Sequence, residues 1–218
     1  MLAGDPKDWT RHFISIDQRL LGRIAAIWPG CLALLPAQPT EDQITINLIA
    51  ILSKDPVVRS ICHWIEYQFE PFGTDANGTK FSKGKIDLAV LLDWERERYL
   101  AYECKRLNVL YSGGRSSLAT DYVKEGMMRF MTEQYAEALP VGCMLGYVID
   151  GDIAFAVSQL HAAIKAHQPL GVTSGPTPHS ALENVTRFLT THTRTARTSI
   201  ELRHALIPFP KPAARSSD

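Results

Sequence analysis

The stretch IDLAVLLDWERERYLAYECK, residues 86–105, decides the fold. Leu88 to Leu92 and Leu100 to Cys104 are apolar runs of strand length, continuous enough to be buried on both faces. Between them, Asp93-Trp94-Glu95-Arg96-Glu97 is a charged turn. The pattern predicts two antiparallel strands, Ile86 to Leu92 and Arg98 to Lys105. If the turn is symmetric about Glu95, Asp87 stands directly opposite Glu103, with Cβ atoms about 4.5–5.5 Å apart. Side chains alternate along a strand, so Glu103 and Lys105 project together and Cys104 points the other way.

Upstream of this hairpin, the first 37 residues hold one helix, near Asp17 to Trp28, closed by Pro29-Gly30. A second helix starts at Thr40, a good N-cap with Gln43 at the capping-box position. Ile44, Leu48, Ile51 and Leu52 then share one face at helical spacing, and Glu41 lies on its edge. Asp55-Pro56 opens a short helical stretch to about His63. Ile65, Tyr67 and Phe69 alternate with Glu66, Gln68 and Glu70, which reads as a half-buried strand, with a helix continuing to Glu70 as the alternative. A polar loop, Gly73 to Gly84, leads into the hairpin, with Lys80, Lys83 and Lys85 close together.

Downstream, Tyr111 to Arg115 is a glycine-containing loop. Asp121 to Ala138 reads as a helix with Val123, Met127, Phe130 and Met131 inward, and Cys143 to Ile149 as a buried strand ended by Asp150-Gly151. Ile153 to His167 is a further helix, and Arg187 to Arg194 and Ser199 to Pro208 form a final strand pair. Gln168 to Ser180, with three prolines and two glycines, reads as a loose surface segment, as does the tail from Pro208. The expected fold class is α/β: an α-β-β-β-α-β core over about residues 40–150, with a mixed central sheet flanked by helices. Helix and strand additions follow it, within one domain over residues 1–208 and a flexible tail over 209–218.

Composition limits the function classes. The 218 residues are 45% apolar, enough for a sizeable core, and 23 Lys+Arg balance 23 Asp+Glu. That balance excludes a uniformly basic coat of the histone type and the acidic, disordered and collagen-like classes. Asp5 and Pro6 stand where a secretory segment needs an apolar run, and no stretch approaches a membrane span of about 18 apolar residues. Cys31, Cys62, Cys104 and Cys143 are scattered, with no C-x-x-C pair. A soluble, reduced, cytoplasmic protein is the expectation.

The chemistry sits on the hairpin. Two opposed carboxylates, Asp87 and Glu103, repel unless a cation lies between them, and a hard divalent ion such as Mg²⁺ prefers oxygen ligands. Lys105, one pleat along, would steer an attacking water or screen charge on a phosphate, and the carbonyl of Cys104 would add an oxygen. A merely solvated hairpin fits poorly with strands that look buried on both faces, because buried carboxylates are rare unless paired or metal-bound.

Asp87 followed by Glu103-Cys104-Lys105 resembles the motif of the PD-(D/E)XK, or restriction-endonuclease-like, nuclease superfamily, and the predicted element order is similar to that family's core. Ile86 stands where the name's proline would be. The resemblance implies Mg²⁺-dependent cleavage of nucleic acid, usually DNA, with Mn²⁺ as a substitute ion, by an endonuclease of restriction or phage defence. It implies Asp87 and Glu103 as metal ligands and Lys105 as the residue that orients the water. It also implies a further carboxylate from the first core helix, for which Glu41 is preferred and Glu66 competes. Gln134 on the later helix would reach the site or simply pack.

Rival readings are a nuclease for RNA or branched DNA, a catalytically idle subunit of the same fold, and a structural protein whose hairpin matches by accident. A homodimer or a larger defence complex would suit double-strand cleavage. Lys80, Lys83 and Lys85 read equally as a backbone contact or an ordinary polar loop. Arg115 reads as a loop residue before a phosphate ligand. His192 and His204, with Arg194, Arg197 and Arg203 nearby, read as a polar strand surface, and Cys104 as a small core residue.

Overall fold

A computed structural model describes residues 9–180 and 182–210. The flexible tail expected beyond residue 209 lies mostly outside the described residues, as do the first eight positions. The elements are α1 (Thr10–Leu32), α2 (Glu41–Leu52), α3 (Pro56–Arg59), β1 (Trp64–Phe69), β2 (Phe72–Thr74), β3 (Lys80–Ser82), β4 (Ile86–Leu91) and β5 (Tyr99–Leu107). There follow β6 (Val109–Tyr111), β7 (Gly114–Ser116) and a helix over 119–131. That helix comprises α4 (Ala119–Asp121), a π-helical stretch (Tyr122–Met127) and α5 (Met128–Met131). The chain closes with β8 (Val141–Val148), α6 (Ile153–Ala166), β9 (Val172–Pro178), β10 (Thr186–Thr193) and β11 (Ser199–Pro208).

Seven strands form one mixed sheet in the order β1-β4-β5-β8-β11-β10-β9. Neighbours are antiparallel except β5/β8 and β8/β11, which are parallel. The molecule is therefore mixed α/β. The β4–β5 register runs from Leu88 opposite Tyr102 to Leu91 opposite Tyr99, which is the register of a turn centred on Glu95. All eight residues of β8 are buried, as expected of a strand covered on both faces. On one face α1 meets β5 and β8, where Tyr102 donates to Asp17. On the other, the helix over 119–131 lies across β5 at Glu103 and Lys105. No helix among the described residues is long and apolar enough to cross a membrane.

Several elements differ from the sequence reading. Helix α1 runs a turn past Trp28 with Pro29 inside it, because both Trp28 and Cys31 are buried and hold the last turn against the core. The Trp28 ring stacks on Tyr147, and its indole N–H donates to the carbonyl of Pro208. The short helix after Asp55 stops at Arg59, and Trp64–Phe69 is a strand, so a helix continuing to Glu70 is excluded.

The polar loop 73–84 contains a hairpin, β2–β3, and the loop at 111–115 belongs to a second one, β6–β7. The helix expected over 121–138 begins at Ala119 and ends at Met131. Left-handed residues Glu133, Ala136 and Ala138 follow, and they turn Tyr135 and Leu139 into the core. Within the expected loose segment 168–180, Val172–Pro178 is an edge strand, a place where prolines cost no ladder bond on the outer side. Pro208 belongs to β11 rather than to a tail, and Phe209 packs edge-on against Trp28.

His192, His204, Arg194 and Arg203 are buried, so the reading of a polar strand surface is wrong for them. His192 and His204 both contact the Thr190 hydroxyl, and His204 also meets Tyr122 Oη. Arg203 and Arg187 both donate to the buried carboxylate of Asp17.

Candidate active site

The β4–β5 ladder ends at Leu88 opposite Tyr102, and Asp87 takes over one step further along. Its Oδ2 accepts from the backbone N–H of Cys104 at 2.8 Å, so a carboxylate stands where the next strand carbonyl would be. Glu103 is fully buried, and Lys105 beside it points to the same face. Lys105 Nζ lies 2.7 Å from Glu103 Oε1, 3.0 Å from Glu41 Oε1, 2.9 Å from the Cys104 carbonyl and 3.9 Å from Asp87 Oδ2. Four oxygens from two strands and a helix thus converge on one ammonium group.

Glu41 arrives through the geometry of a helix start. Thr40 Oγ1 accepts from the N–H of Gln43, and Gln43 Oε1 accepts from the N–H of Thr40, which closes the capping box. Glu41 is then the first residue of α2. Its Oε2 accepts from the N–H of Arg106 at 2.9 Å, while Arg106 Nη1 donates to the Pro39 carbonyl. The helix start is tied to β5 on both sides of the carboxylate. Glu66 is turned elsewhere, accepting from Arg96 and from the Trp64 indole.

The helix over 119–131 closes the cluster from above. A Cβ on Gly126 would lie 2.7 Å from the flexible Met144 Cε, 3.5 Å from Glu103 Cγ and 3.7 Å from Lys105 Cγ, so a side chain larger than alanine would push the π-helical turn off the strand. Three residues on, Arg129 Nη1 lies 3.1 Å from Glu103 Oε1 and 3.3 Å from Oε2, and it donates to Tyr135 Oη at 2.5 Å. Tyr135 Oη donates in turn to the carbonyl of Lys85, two residues before Asp87. The sequence reading missed Arg129 and Tyr135 and considered Gln134 instead. Gln134 packs its amide over Gly84, outside the cluster.

The charges are unequal: three carboxylates face two cations. Burial, and then the charge of Asp87, push Glu103 from its ordinary 4.5 up to about 8, against the pull of Lys105 and Arg129. Burial also raises Asp87, opposed by Lys105 and by the N–H of Cys104. Burial works against the Lys105 charge, but Glu103, Asp87 and Glu41 outweigh it and hold the ammonium above its usual range. Glu103 Oε1 is buried and accepts no well-directed hydrogen bond, despite its two ion-pair neighbours. Among the described residues no three His, Cys, Asp or Glu side chains are grouped to hold a metal ion; the Lys105 ammonium lies among Glu41, Asp87 and Glu103.

The remaining candidates divide. Lys83 pairs with Glu137, Lys80 donates to Thr74, and Lys85 is exposed. Arg115 bridges Asp150 and Asp152 and lies over the Phe155 ring, so it is built into the fold. The Cys104 side chain is fully buried, and the residue reaches the cluster through its backbone N–H and carbonyl. A cleft of about 620 Å³ is lined by Arg106, Pro36, Pro39, Leu110, Ile149 and Phe209, and by none of Glu41, Asp87, Glu103, Lys105 and Arg129. Comparison of the chain with protein-family models, with curated proteins and with solved structures returns no match.

Proposed function

We propose that this cluster is the centre of a divalent-metal-dependent nuclease of the restriction-endonuclease-like type, acting on DNA. One observation carries the reading. Glu41, Asp87, Glu103 and the Cys104 carbonyl surround a single cationic group at one end of the sheet, with a buried Glu103 oxygen left without a directed partner. The succession α2, β1, β4, β5, helix 119–131 and β8, with β8 parallel to β5, supports the same fold type.

The donor set suits Mg²⁺ or Mn²⁺, since it is all hard oxygen. Held there, such an ion would supply neutralisation of the phosphate charge and an acidified water. The chain's own residues do the rest. Asp87 is fixed by the Cys104 N–H and Glu41 by the Arg106 N–H, so neither needs to reorganise when the site is loaded. Glu103, pushed up to about 8 by burial, would release its proton to solvent before holding a cation, and Lys105 beside it would then be free to hydrogen-bond the attacking water. Arg129 stays over Glu103 and faces the charge that develops on the phosphate. A role in restriction or phage defence, and assembly as a homodimer, extend the same reading by family analogy.

A second reading, a catalytically idle subunit of this fold, is favoured by the position of Lys105 Nζ inside the carboxylate cluster. Incubating the protein with linear, circular and single-stranded DNA and with RNA, under Mg²⁺, Mn²⁺ or EDTA, separates the two. The expected result is metal-dependent DNA cleavage that disappears in Glu103→Ala and in Lys105→Ala. Cleavage surviving both substitutions would contradict the site. No cleavage of any substrate would favour the idle subunit.

A further inference from the structure

The two small hairpins leave the sheet at the same end as the carboxylate cluster. Strand β4 runs antiparallel to β5, so the start of β4 and the end of β5 lie together. The β2–β3 hairpin leads into that start, five residues before Asp87, and β6–β7 begins four residues after Lys105. Each hairpin carries an aromatic ring opposite a glycine. Phe81 pairs with Gly73, and its ring fills the place a Cβ on Gly73 would take. Tyr111 pairs with Gly114, and its ring edge lies 3.2 Å from where a Cβ on Gly113 would sit. One side of each ring is thereby seated on glycine backbone, yet Phe81 remains 48% and Tyr111 61% exposed.

Both hairpins are anchored at their bases. Lys83 pairs with Glu137, and the carbonyl of Lys85 accepts from Tyr135. On the other side Arg115 holds Asp150 and Asp152, and the N–H of Asn108 donates to the carbonyl of Ser117. Exposed rings on anchored ribbons lose little freedom when a flat partner stacks on them. Lys85, at the hairpin's exit, and Lys80, next to Phe81 with its ammonium donating to Thr74, are exposed cations of the kind that accompany stacking rings in single-strand binding.

We infer that Phe81 and Tyr111 are stacking platforms for unpaired bases on either side of the cluster, so that the substrate is single-stranded DNA or a single-stranded segment of it. This rests on the nuclease reading for the chemistry but not for the binding. Stacked bases in a duplex offer no free face to a ring, whereas an unpaired base does.

The test measures binding in EDTA and cleavage in Mg²⁺, using a fluorescent single-stranded 20-mer and the duplex of the same sequence. The expected result is preference for the single strand in both assays. Binding should weaken about tenfold in Phe81→Leu or Tyr111→Leu, and recover in Phe81→Trp. Leucine still covers the glycine, so an unchanged melting temperature separates lost stacking from lost folding. Equal binding of single strand and duplex, or full affinity in the Leu double variant, would overturn the inference. Cleavage of duplex that ignores both rings would overturn it while leaving the nuclease reading intact. Ring-dependent binding of the single strand without any cleavage would uphold the platforms and remove the nuclease.

Discussion

Glu103 concentrates the chemistry because it has the least water of the three carboxylates and the least settled partners. With its pKa raised from 4.5 to about 8, the folded protein keeps a proton there that the unfolded chain releases. Where the native state binds more protons, stability falls as pH rises, so the metal-free protein should lose melting temperature between about pH 4.5 and pH 8. Thermal scans across that range in EDTA check this, and Glu103→Gln should flatten the profile. Lys105 acts in the opposite sense, as the counter-charge. Lys105→Met leaves three carboxylates facing Arg129 alone, and should cost about 3 kcal/mol in denaturant unfolding.

At the scale of elements, the site depends on two local devices. The capping box starts α2 at Glu41 and fixes the direction of its carboxylate. Thr40→Ala should therefore lower stability by about 1 kcal/mol and weaken metal-dependent cleavage as well. Gly126 sets the distance between helix and strand. Gly126→Ala meets only the flexible Met144 methyl closely, and should stay within about 1 kcal/mol of wild type. Gly126→Leu should cost about 2 kcal/mol and displace Arg129 from Glu103, seen as slower cleavage.

These elements also show which features the sequence made legible. The β4–β5 register could be read because two apolar runs flank a turn with a clear centre, and Glu41 could be read from Thr40 and Gln43. Arg129 and Tyr135 could not. The π-helical stretch shifts the helical phase, and the helix ends at Met131 before the periodicity would have placed Gln134 inward. The three-residue strands of both hairpins are too short to show alternation, and the prolines of β9 hid an edge strand.

For the whole molecule, the even charge balance conceals two internal clusters. At the sheet's end the carboxylates outnumber the cations, whereas in the interior Arg187 and Arg203 share the carboxylate of Asp17 and Arg203 also pairs with Glu201. Asp17 also accepts from Tyr102, so it joins α1 to strands β5, β10 and β11 across most of the chain length. Asp17→Ala should cost about 3 kcal/mol, measured by urea unfolding, because it strands the buried Arg187 guanidinium and leaves Arg203 to its pair with Glu201.

On the proposed reading, Lys105 Nζ occupies the place of a divalent cation. A calorimetric titration of Mn²⁺ into the wild-type protein and into Asp87→Ala and Lys105→Met tests it most directly. The expected result is binding by the wild type, tighter binding once the competing ammonium is removed in Lys105→Met, and loss of binding in a folded Asp87→Ala. No Mn²⁺ binding in the wild type and in Lys105→Met, or equal binding after removal of Asp87, would contradict it.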